Sequence, residues 1–416
     1  MVLENAKLAI LDCLGVSMLA TSQEIGTALL TFAREHAAKG NCTVWGTGLT
    51  VSPRDAALIN GTLAHGLDYD DRNHSSTYSL ATAIAAAEEL DLSGAKALEA
   101  FIVGREIRNS LDPLFGKRSS GIGPGARGWH SNGILGPIAS ACSASKALGL
   151  DFQQTLTAVG LAGGSCGALT RDGGTMAKPL RTGHAAATGL TCALLARSGF
   201  TSDERALEGR YGLLEALGPL PDDILHSIGR DLGVKFNLAT DVRIKPYSSC
   251  TATHSGLEAM LRLIKKQPIT PEAVEFIDGD LKPYPLVRQR PQRGFEGRFS
   301  MAFCLAMALI YGKVDAGDFI DEHVKDPLVQ ELMSRTRHTP EATFLVVTLK
   351  NGARFEETLQ SASDLKGWDT VKEKFKRCIY GIMTDDDAEK IPTLVSRMES
   401  LSLIRLLTKS LRTNRT

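Results

Sequence analysis

The chain has 416 residues, of which 47 are Lys or Arg and 47 are Asp or Glu, so its formal net charge is zero. This balance gives no overall attraction to nucleic acid or to an anionic membrane, but it allows a small local site for an anionic metabolite. The length suits two domains, or one large domain with a smaller lobe. Its apolar stretches are shorter than a membrane span, so we expect no membrane partner.

The eight cysteines are scattered and form no CxxC pair. This spacing favours buried free thiols in a reducing compartment over disulfides. The first residues have a helical pattern and show no Arg-rich or signal-like leader. We therefore expect a soluble cytoplasmic protein, and a mitochondrial location stays open.

Helical periodicity dominates the first half of the chain. Apolar residues predict helices at 3–20 and Ile25–His36, and Ser52-Pro53 supplies an N-cap and a first-turn proline for a third helix that runs to about Ala64. Further helices are predicted at 77–90, 94–111, 131–148, 153–161 and 183–198. Many are rich in Ala and Gly, which predicts a bundle with close helix crossings.

The pattern changes near residue 238, where short strand-like and helix-like segments alternate. Thr343–Leu349 and Arg354–Leu359 flank Asn351-Gly352, which predicts a β-hairpin. The sequence thus predicts a mainly α protein: a large all-helical domain formed by residues 1–237 and 381–416, and a smaller α+β lid domain over 238–380. A last amphipathic helix is predicted at Val395–Leu411, packed on the bundle.

The stretch His65–His74 holds three carboxylates, two imidazoles and a phenol in ten residues. Burying such a cluster is costly unless its charges are paired or used, so we expect it to line a polar pocket. Asp68, Asp70 or Asp71 would act as a general base or orient one, and helix caps with salt bridges are the alternative. A metal site is less favoured, because no second cluster has recognisable ligand spacing.

Three further segments combine basic side chains with helix starts. His130 precedes the predicted N-cap Ser131, a position that favours an anion and a neutral imidazole and suits a proton donor or a substrate contact. Lys178 and Arg181 follow a glycine-rich run and suit carboxylates. The alternatives are a loop histidine bonded to backbone and a solvated basic turn.

Lys245 and His254 bracket the third segment, a run of hydroxyl residues that leads into a helix. This is again a shape that cradles an anion, with an ordinary strand-to-helix turn as the alternative. Cys250 within it is a poor candidate for a nucleophile, because the sequence shows no triad order.

Five motifs, in this order, resemble the MmgE/PrpD family, which includes 2-methylcitrate dehydratase, cis-aconitate decarboxylase and iminodisuccinate epimerase. They are Ala56–Asp71, Gly128–His130, Gly174–Lys178, Ile244–Tyr247 and Arg298–Phe303. The resemblance implies a helical domain built from both chain ends, an inserted α+β lid, a site in the cleft between them, and a homodimer. It also implies small di- or tricarboxylate substrates, no organic cofactor and generally no metal.

The resemblance assigns roles to individual residues. Asp68 matches the acidic site residue of the family, and His130 matches its second histidine position. Lys178 and Lys245 match two substrate-facing lysines, and His254 matches a histidine that follows the second lysine motif.

Two positions depart from the family pattern. Tyr78 stands where dehydratase and decarboxylase members usually carry a histidine, while His74 lies four residues earlier. Phe303 replaces a tyrosine of the late helix and removes a hydroxyl donor. The base near Asp68 is therefore either His74 or Tyr78, and His130 would donate a proton.

These residues favour a lyase acting on a small di- or tricarboxylate, either a 2-methylcitrate or citrate dehydratase or a cis-aconitate decarboxylase. Lys178, Lys245 and Arg181 would bind the carboxylates through charge-assisted hydrogen bonds. An epimerase or isomerase of a dicarboxylate is one alternative. A family member that has lost catalysis and only binds a metabolite is another.

Overall fold

The computed structural model describes residues 1–115, 123–240, 242–282, 286, 288–360 and 363–413. The helices of the first half are α1 (Val2–Ala20), α2 (Glu24–His36), α3 (Pro53–His65), α4 (Ser75–Glu89), α5 (Gly94–Ser110), α6 (Ser131–Leu148), α7 (Phe152–Gly164), α8 (Ala177–Arg197), α9 (Leu213–Ala216) and α10 (Asp222–Ser227). The helices of the second half are α11 (Thr251–Lys266), α12 (Gly294–Gly297), α13 (Met301–Tyr311), α14 (Asp321–Lys325), α15 (Pro327–Arg335), α16 (Trp368–Ile379), α17 (Asp385–Ser396) and α18 (Arg405–Thr408). The strands are β1 (Cys42–Thr43), β2 (Thr50–Val51), β3 (Val274–Gly279), β4 (Thr336–His338), β5 (Phe344–Leu349) and β6 (Arg354–Thr358).

The long helices of the first half pack into a bundle whose closest crossings depend on small residues. A side chain at Gly183 of α8 would collide with the carbonyl of Leu58 on α3, and one at Gly189 would collide with Ser140 on α6. Helix α8 can lie this close to both neighbours because glycine leaves the backbone surfaces bare. The close helix crossings predicted from the Ala- and Gly-rich helices are therefore present at Gly183 and Gly189.

The second half builds a smaller sheet covered by helices. Its strand order is β4-β3-β5-β6, with β3 and β4 parallel and the other pairs antiparallel. The predicted hairpin is confirmed: β5 and β6 pair Thr348 with Arg354, and Gly352 takes φ +83° in the turn between them. Helices α11 and α13 pack with this sheet around a second apolar core.

A mainly α protein with a smaller α+β part is therefore confirmed. The larger apolar core includes α1 and most of the bundle, and also Val371 and Phe375 of α16. Helix α16 thus packs on the bundle, although the predicted division assigns residues 238–380 to the lid. The domain boundaries at 237/238 and 380/381 stay a prediction.

The predicted helix at Val395–Leu411 is wrong, because α17 ends at Ser396 and α18 is only one turn long. Between them the chain bonds to the loop that joins α4 and α5. The Gly94 N–H donates to the Leu401 carbonyl at 2.9 Å, and the Ile404 N–H donates to the Leu92 carbonyl at 2.8 Å. These tertiary hydrogen bonds replace those that a continuous helix would make.

The eight cysteines, all within the described ranges, are free thiols, as predicted. In the part of the chain that the structure covers, each helix is too short or too polar to cross a membrane.

Candidate active site

A cavity of about 230 Å³ lies where the loop after α3 meets the starts of α6, α8 and α11. It is smaller than the roughly 300–1,000 Å³ of sites for drug-sized ligands, so it suits a small metabolite. Five predicted site residues line it: Asp68, His74, His130, Lys178 and Arg181. The structure adds Arg72, Thr170, Gly173, Cys250, Thr251, Ala252 and Phe299.

Asp68 is the anion at the centre of the site. Its Oδ2 lies 2.9 Å from Lys178 Nζ and its Oδ1 lies 2.5 Å from Lys245 Nζ. Burial alone would raise the pKa of Asp68, but the two ammonium groups hold it well below its usual range. Asp68 also takes a left-handed backbone conformation, φ +49°, which is strained for a residue with a side chain and typical of functional sites.

The two predicted lysines hold Asp68 in different ways. Lys245 is fully buried, and its ammonium also donates to the Asp68 carbonyl at 2.8 Å and to the Ser249 carbonyl at 3.4 Å. Burial alone would lower the pKa of Lys245, but Asp68 raises it. Three acceptors use its three N–H groups, whereas Lys178 borders the cavity, with its ammonium 4.9 Å from the centre of the Phe299 ring.

Asp70 bridges two imidazoles. Its Oδ2 lies 2.8 Å from His74 Nδ1, and its Oδ1 lies 2.9 Å from His65 Nδ1. Burial alone would raise the pKa of Asp70, yet His74 and His65 lower it, so the carboxylate is ionised and can only accept. Both Nδ1 atoms therefore carry protons, and His74 Nε2, 3.7 Å from Asp68 Oδ1, is the nitrogen available for proton transfer at the cavity.

His65 completes this cluster from the buried side. Its ring centre lies 4.0 Å from that of His74. Burial, with the nearby His74 and Lys178, lowers the pKa of His65 to about 3, so its imidazole is neutral. Asp70 thus orients the histidine that borders the cavity, which is one of the two tasks that the sequence suggested for the aspartates.

His130 itself is the N-cap of α6 and borders the cavity, so the prediction of Ser131 as the N-cap is wrong. Its Nδ1 accepts from the Asn132 N–H at 3.3 Å, so the neutral ring carries its proton on Nε2. Burial lowers the pKa of His130 well below its usual range, and the positive charges of Arg181 and Lys178 lower it further. His130 is therefore a neutral imidazole that can donate a hydrogen bond from Nε2.

Helix α8 begins at Ala177, six residues earlier than the predicted start at Gly183. Lys178 and Arg181 therefore lie on the first turns of a long helix, where the helix dipole adds to their positive charge. Arg181 also bonds Asp172, 2.8 Å away, which fixes the loop before the helix.

Other predicted residues lie away from the cavity lining. Tyr78 is fully buried on α4, and in the described part of the chain its hydroxyl has no hydrogen-bond partner. His254 is buried on α11 with its Nε2 3.2 Å from the Ser249 carbonyl, and its ring meets Tyr247 edge-on. Phe303 is buried against Phe319.

Four potential metal ligands do converge here: His65, Asp68, Asp70 and His74 place one ligand atom each within 4.8 Å of one another. However, Asp70 is bonded to both imidazoles, and Asp68 is bonded to two ammonium groups. A metal cation would have to displace these partners next to positive charge. The donor set therefore fits a metal poorly and favours an anionic ligand.

Some residues that line the cavity lie inside sequence motifs that were recognised, but they were not predicted as site residues. Arg72 lies inside the polar cluster, and its Nε is 2.5 Å from Asp364 Oδ1 in the segment that leads back to the bundle. Thr251 belongs to the hydroxyl run and Phe299 to the last of the five motifs. Thr170 carries no local pattern that would have identified it.

Comparison with known proteins identifies the family of the chain. Residues 1–222 match the family described as the MmgE/PrpD N-terminal domain, and residues 247–400 match the MmgE/PrpD C-terminal domain. A cis-aconitate decarboxylase of Mus musculus is 27% identical, across 99% of this chain and 89% of the mouse protein. A cis-aconitate decarboxylase of Homo sapiens is also 27% identical, across 99% and 90%, and one of Aspergillus terreus is 25% identical, across 96% and 90%. The chain therefore belongs to the MmgE/PrpD family.

Proposed function

We propose that the protein is a lyase that acts on a small tricarboxylate of the cis-aconitate type. The observation that carries this proposal is one small cavity in which two cations, Lys178 and Arg181, and two imidazoles, His74 and His130, surround an ionised Asp68. The relatives named cis-aconitate decarboxylases support a tricarboxylate as the substrate.

Substrate carboxylates would bind on the α8 side of the cavity. Among the described residues, Asp68 takes one N–H of Lys178, so the remaining donors of that ammonium can bind a carboxylate. Arg181 and the positive end of α8 add to this attraction. Lys245 would contribute indirectly, by holding Asp68.

Decarboxylation breaks the bond between a carbon and its carboxylate, releases CO₂ and leaves an electron pair on the remaining carbon framework. Lys178 and Arg181 would stabilise this charge where it spreads onto a neighbouring carboxylate. A proton then bonds to the carbon. The imidazolium form of His74 would donate this proton from Nε2 and become the neutral ring, because Asp70 accepts from Nδ1–H and holds the opposite side of the ring. A proton from solvent would then restore His74.

His130 would donate a hydrogen bond from Nε2 to the reacting part of the substrate. In a dehydration, His74 would remove a proton next to a carboxylate and pass it to the departing hydroxyl, which leaves as water, while the His130 Nε2–H donates a hydrogen bond to that oxygen. The position of Tyr78, buried on α4 and outside the cavity lining, favours His74 as the base.

Purified protein incubated with cis-aconitate, citrate and 2-methylcitrate tests the proposal. We expect CO₂ release from cis-aconitate if decarboxylation is the reaction. A new alkene absorbance from citrate or 2-methylcitrate would indicate dehydration. Turnover of none of the three would refute a tricarboxylate lyase.

A dicarboxylate epimerase is the second candidate, because two imidazoles, His74 and His130, border the same cavity and could exchange a proton at one carbon. In D₂O, such an enzyme would introduce deuterium next to a carboxylate without loss of CO₂ or water. If a tricarboxylate is turned over and no such exchange is found with dicarboxylates, this candidate fails.

We also infer a cytoplasmic homodimer that needs no cofactor, as the family resemblance and the free thiols suggest. Sedimentation velocity should give twice the mass of the chain. Dialysis against EDTA should leave the rate unchanged.

A further inference from the structure

Lys374 is a fully buried lysine on α16, outside the cavity lining, that contacts three separate parts of the chain. Its Nζ lies 2.6 Å from Asp12 Oδ1 on α1, and it donates to the backbone carbonyls of Tyr69 at 2.7 Å and Lys245 at 3.0 Å. The ammonium also lies 3.7 Å from the centre of the Tyr69 ring. The ammonium thus has one ion-pair partner, Asp12, and two backbone carbonyl acceptors.

The two carbonyls belong to the segments that carry the central ion pair of the site. Tyr69 directly follows Asp68, and Lys245 is the residue whose ammonium lies 2.5 Å from Asp68 Oδ1. One buried charge therefore fixes the backbone beside both partners. A change in this spacing would move Asp68 and, through it, Lys178.

Lys374 lies near the two connections that join the bundle to the smaller lobe. Ile244 forms isolated β-bridges with Asp71 on one side and with Leu365 on the other. Residues 244 and 365 lie on the outgoing and returning connections. Lys374 lies on α16, the helix that directly follows the returning connection. Its ammonium contacts both the outgoing connection, at the Lys245 carbonyl, and α1, at Asp12.

Stability alone is a weak reason for this arrangement. Replacing a buried ion pair by apolar residues of similar size is often neutral or stabilising, because burying two charges costs nearly what their attraction returns. A group that instead fixes the geometry of a site has a kinetic reason to be there, since a shift of about 1 Å can cost about a hundredfold in rate.

We propose that Lys374 is a positioning residue, which sets the spacing of Asp68 and Lys245 by holding the carbonyls of Tyr69 and Lys245. This proposal rests on the proposed function, because it assumes that the Asp68 site performs the reaction.

The test compares Lys374→Met with Lys7→Met. Lys7 is a matched control: it is buried on α1, pairs with Glu399 at 2.8 Å and lies outside the cavity lining. For folded protein at 25 °C, we expect Lys374→Met to lower kcat/KM for cis-aconitate at least tenfold, and Lys7→Met to change it less than twofold. Both variants should lower the Tm.

Asp12→Asn is a second test variant, for which we expect an intermediate loss of kcat/KM. It removes the charge on Asp12 but leaves Lys374 and its two carbonyl bonds, so it should lower kcat/KM less than Lys374→Met does. A kcat/KM of Lys374→Met within twofold of wild type would overturn the proposal. Kinetic losses that simply follow the loss of Tm across the three variants would also overturn it.

If Lys374→Met does not fold, the double variant Asp12→Leu/Lys374→Met removes both charges and is judged by the same tenfold and twofold limits. Failure of the double variant to fold would assign the pair to folding and overturn the proposal. If the wild type turns over no tricarboxylate, the proposed function fails by itself. The test then uses the Kd of tricarballylate, a saturated tricarboxylate, measured by calorimetry. Lys374→Met should raise this Kd at least tenfold and Lys7→Met less than twofold, and a Kd of Lys374→Met within twofold of wild type would overturn the proposal.

Discussion

Asp68→Asn removes one negative charge from the centre of the site and keeps the shape of the side chain. Lys178 and Lys245, 2.9 and 2.5 Å away, then lose a common counter-ion while both stay buried. At these distances each contact contributes about 6 kcal/mol of Coulomb attraction at an effective dielectric constant of about 20. Desolvation offsets much of this, and removing one partner of a buried pair typically costs about 3–5 kcal/mol.

This cost converts into a measurable change of Tm. An unfolding entropy of about 2.1 cal/mol/K per residue gives about 0.9 kcal/mol/K for a chain of 416 residues. We therefore expect calorimetry at pH 7 to show a Tm lower by about 3–6 °C. Activity on cis-aconitate should fall at least a hundredfold, because Lys178 loses its anchor.

The stability that Asp68 contributes should depend on pH in one direction. Lysine charges lower the pKa of Asp68 in the folded state, so its stabilisation is fully present above about pH 4 and is lost as the pH falls through the folded pKa. The difference in stability between wild type and Asp68→Asn should be full at pH 7 and narrow below about pH 4.

Asp231→Asn is the matched control for Asp68→Asn. It removes the same charge from an Asp–Lys pair at the same 2.9 Å, between Asp231 and Lys235, but this pair is exposed to solvent. Its cost should stay below about 1 kcal/mol. Equal Tm values for Asp68→Asn and wild type at pH 7 would refute the reasoning that Asp68 is the counter-ion of both lysines.

Three further predictions concern other groups of the site and its surroundings. His74→Asn should lower kcat by about 10²–10⁴-fold, while His184→Asn, a change at an exposed histidine of α8, should leave it unchanged; equal rates would exclude His74 as the proton-transfer group. Tyr78→Phe should keep kcat within about twofold and leave the Tm equal or slightly higher, because it removes a buried hydroxyl that has no partner in the described residues; a large loss of kcat would return Tyr78 to the reaction. Burial, opposed by Lys374, raises the pKa of Asp12 to about 6, so the neutral form favours folding below about pH 4 and this advantage is lost as the pH rises through 6. Relative to Asp12→Asn, wild type should lose up to about 3 kcal/mol between those limits in urea titrations, and a constant difference would contradict the shift.

Short-range patterns in the sequence predicted much of the fold. The helices of the bundle follow from apolar spacing, and the β5–β6 hairpin follows from Asn351-Gly352, because both depend on residues a few positions apart. The cluster at His65–His74 was identified because so many charges could not be buried without partners. The helix predicted at the C-terminal end failed where hydrogen bonds to a distant loop replaced local ones.

The family, the mainly α fold and the segments that supply the candidate site thus follow from residue order and short-range patterns. The packing of distant segments settles which side chains of those segments border the cavity: Lys178 does and Lys245 does not, and His74 does and Tyr78 does not. The physical reason is that such choices depend on how helices rotate and cross. Lys374 and Tyr69, in direct contact, lie 305 residues apart in the chain, and no local pattern records a contact of that range.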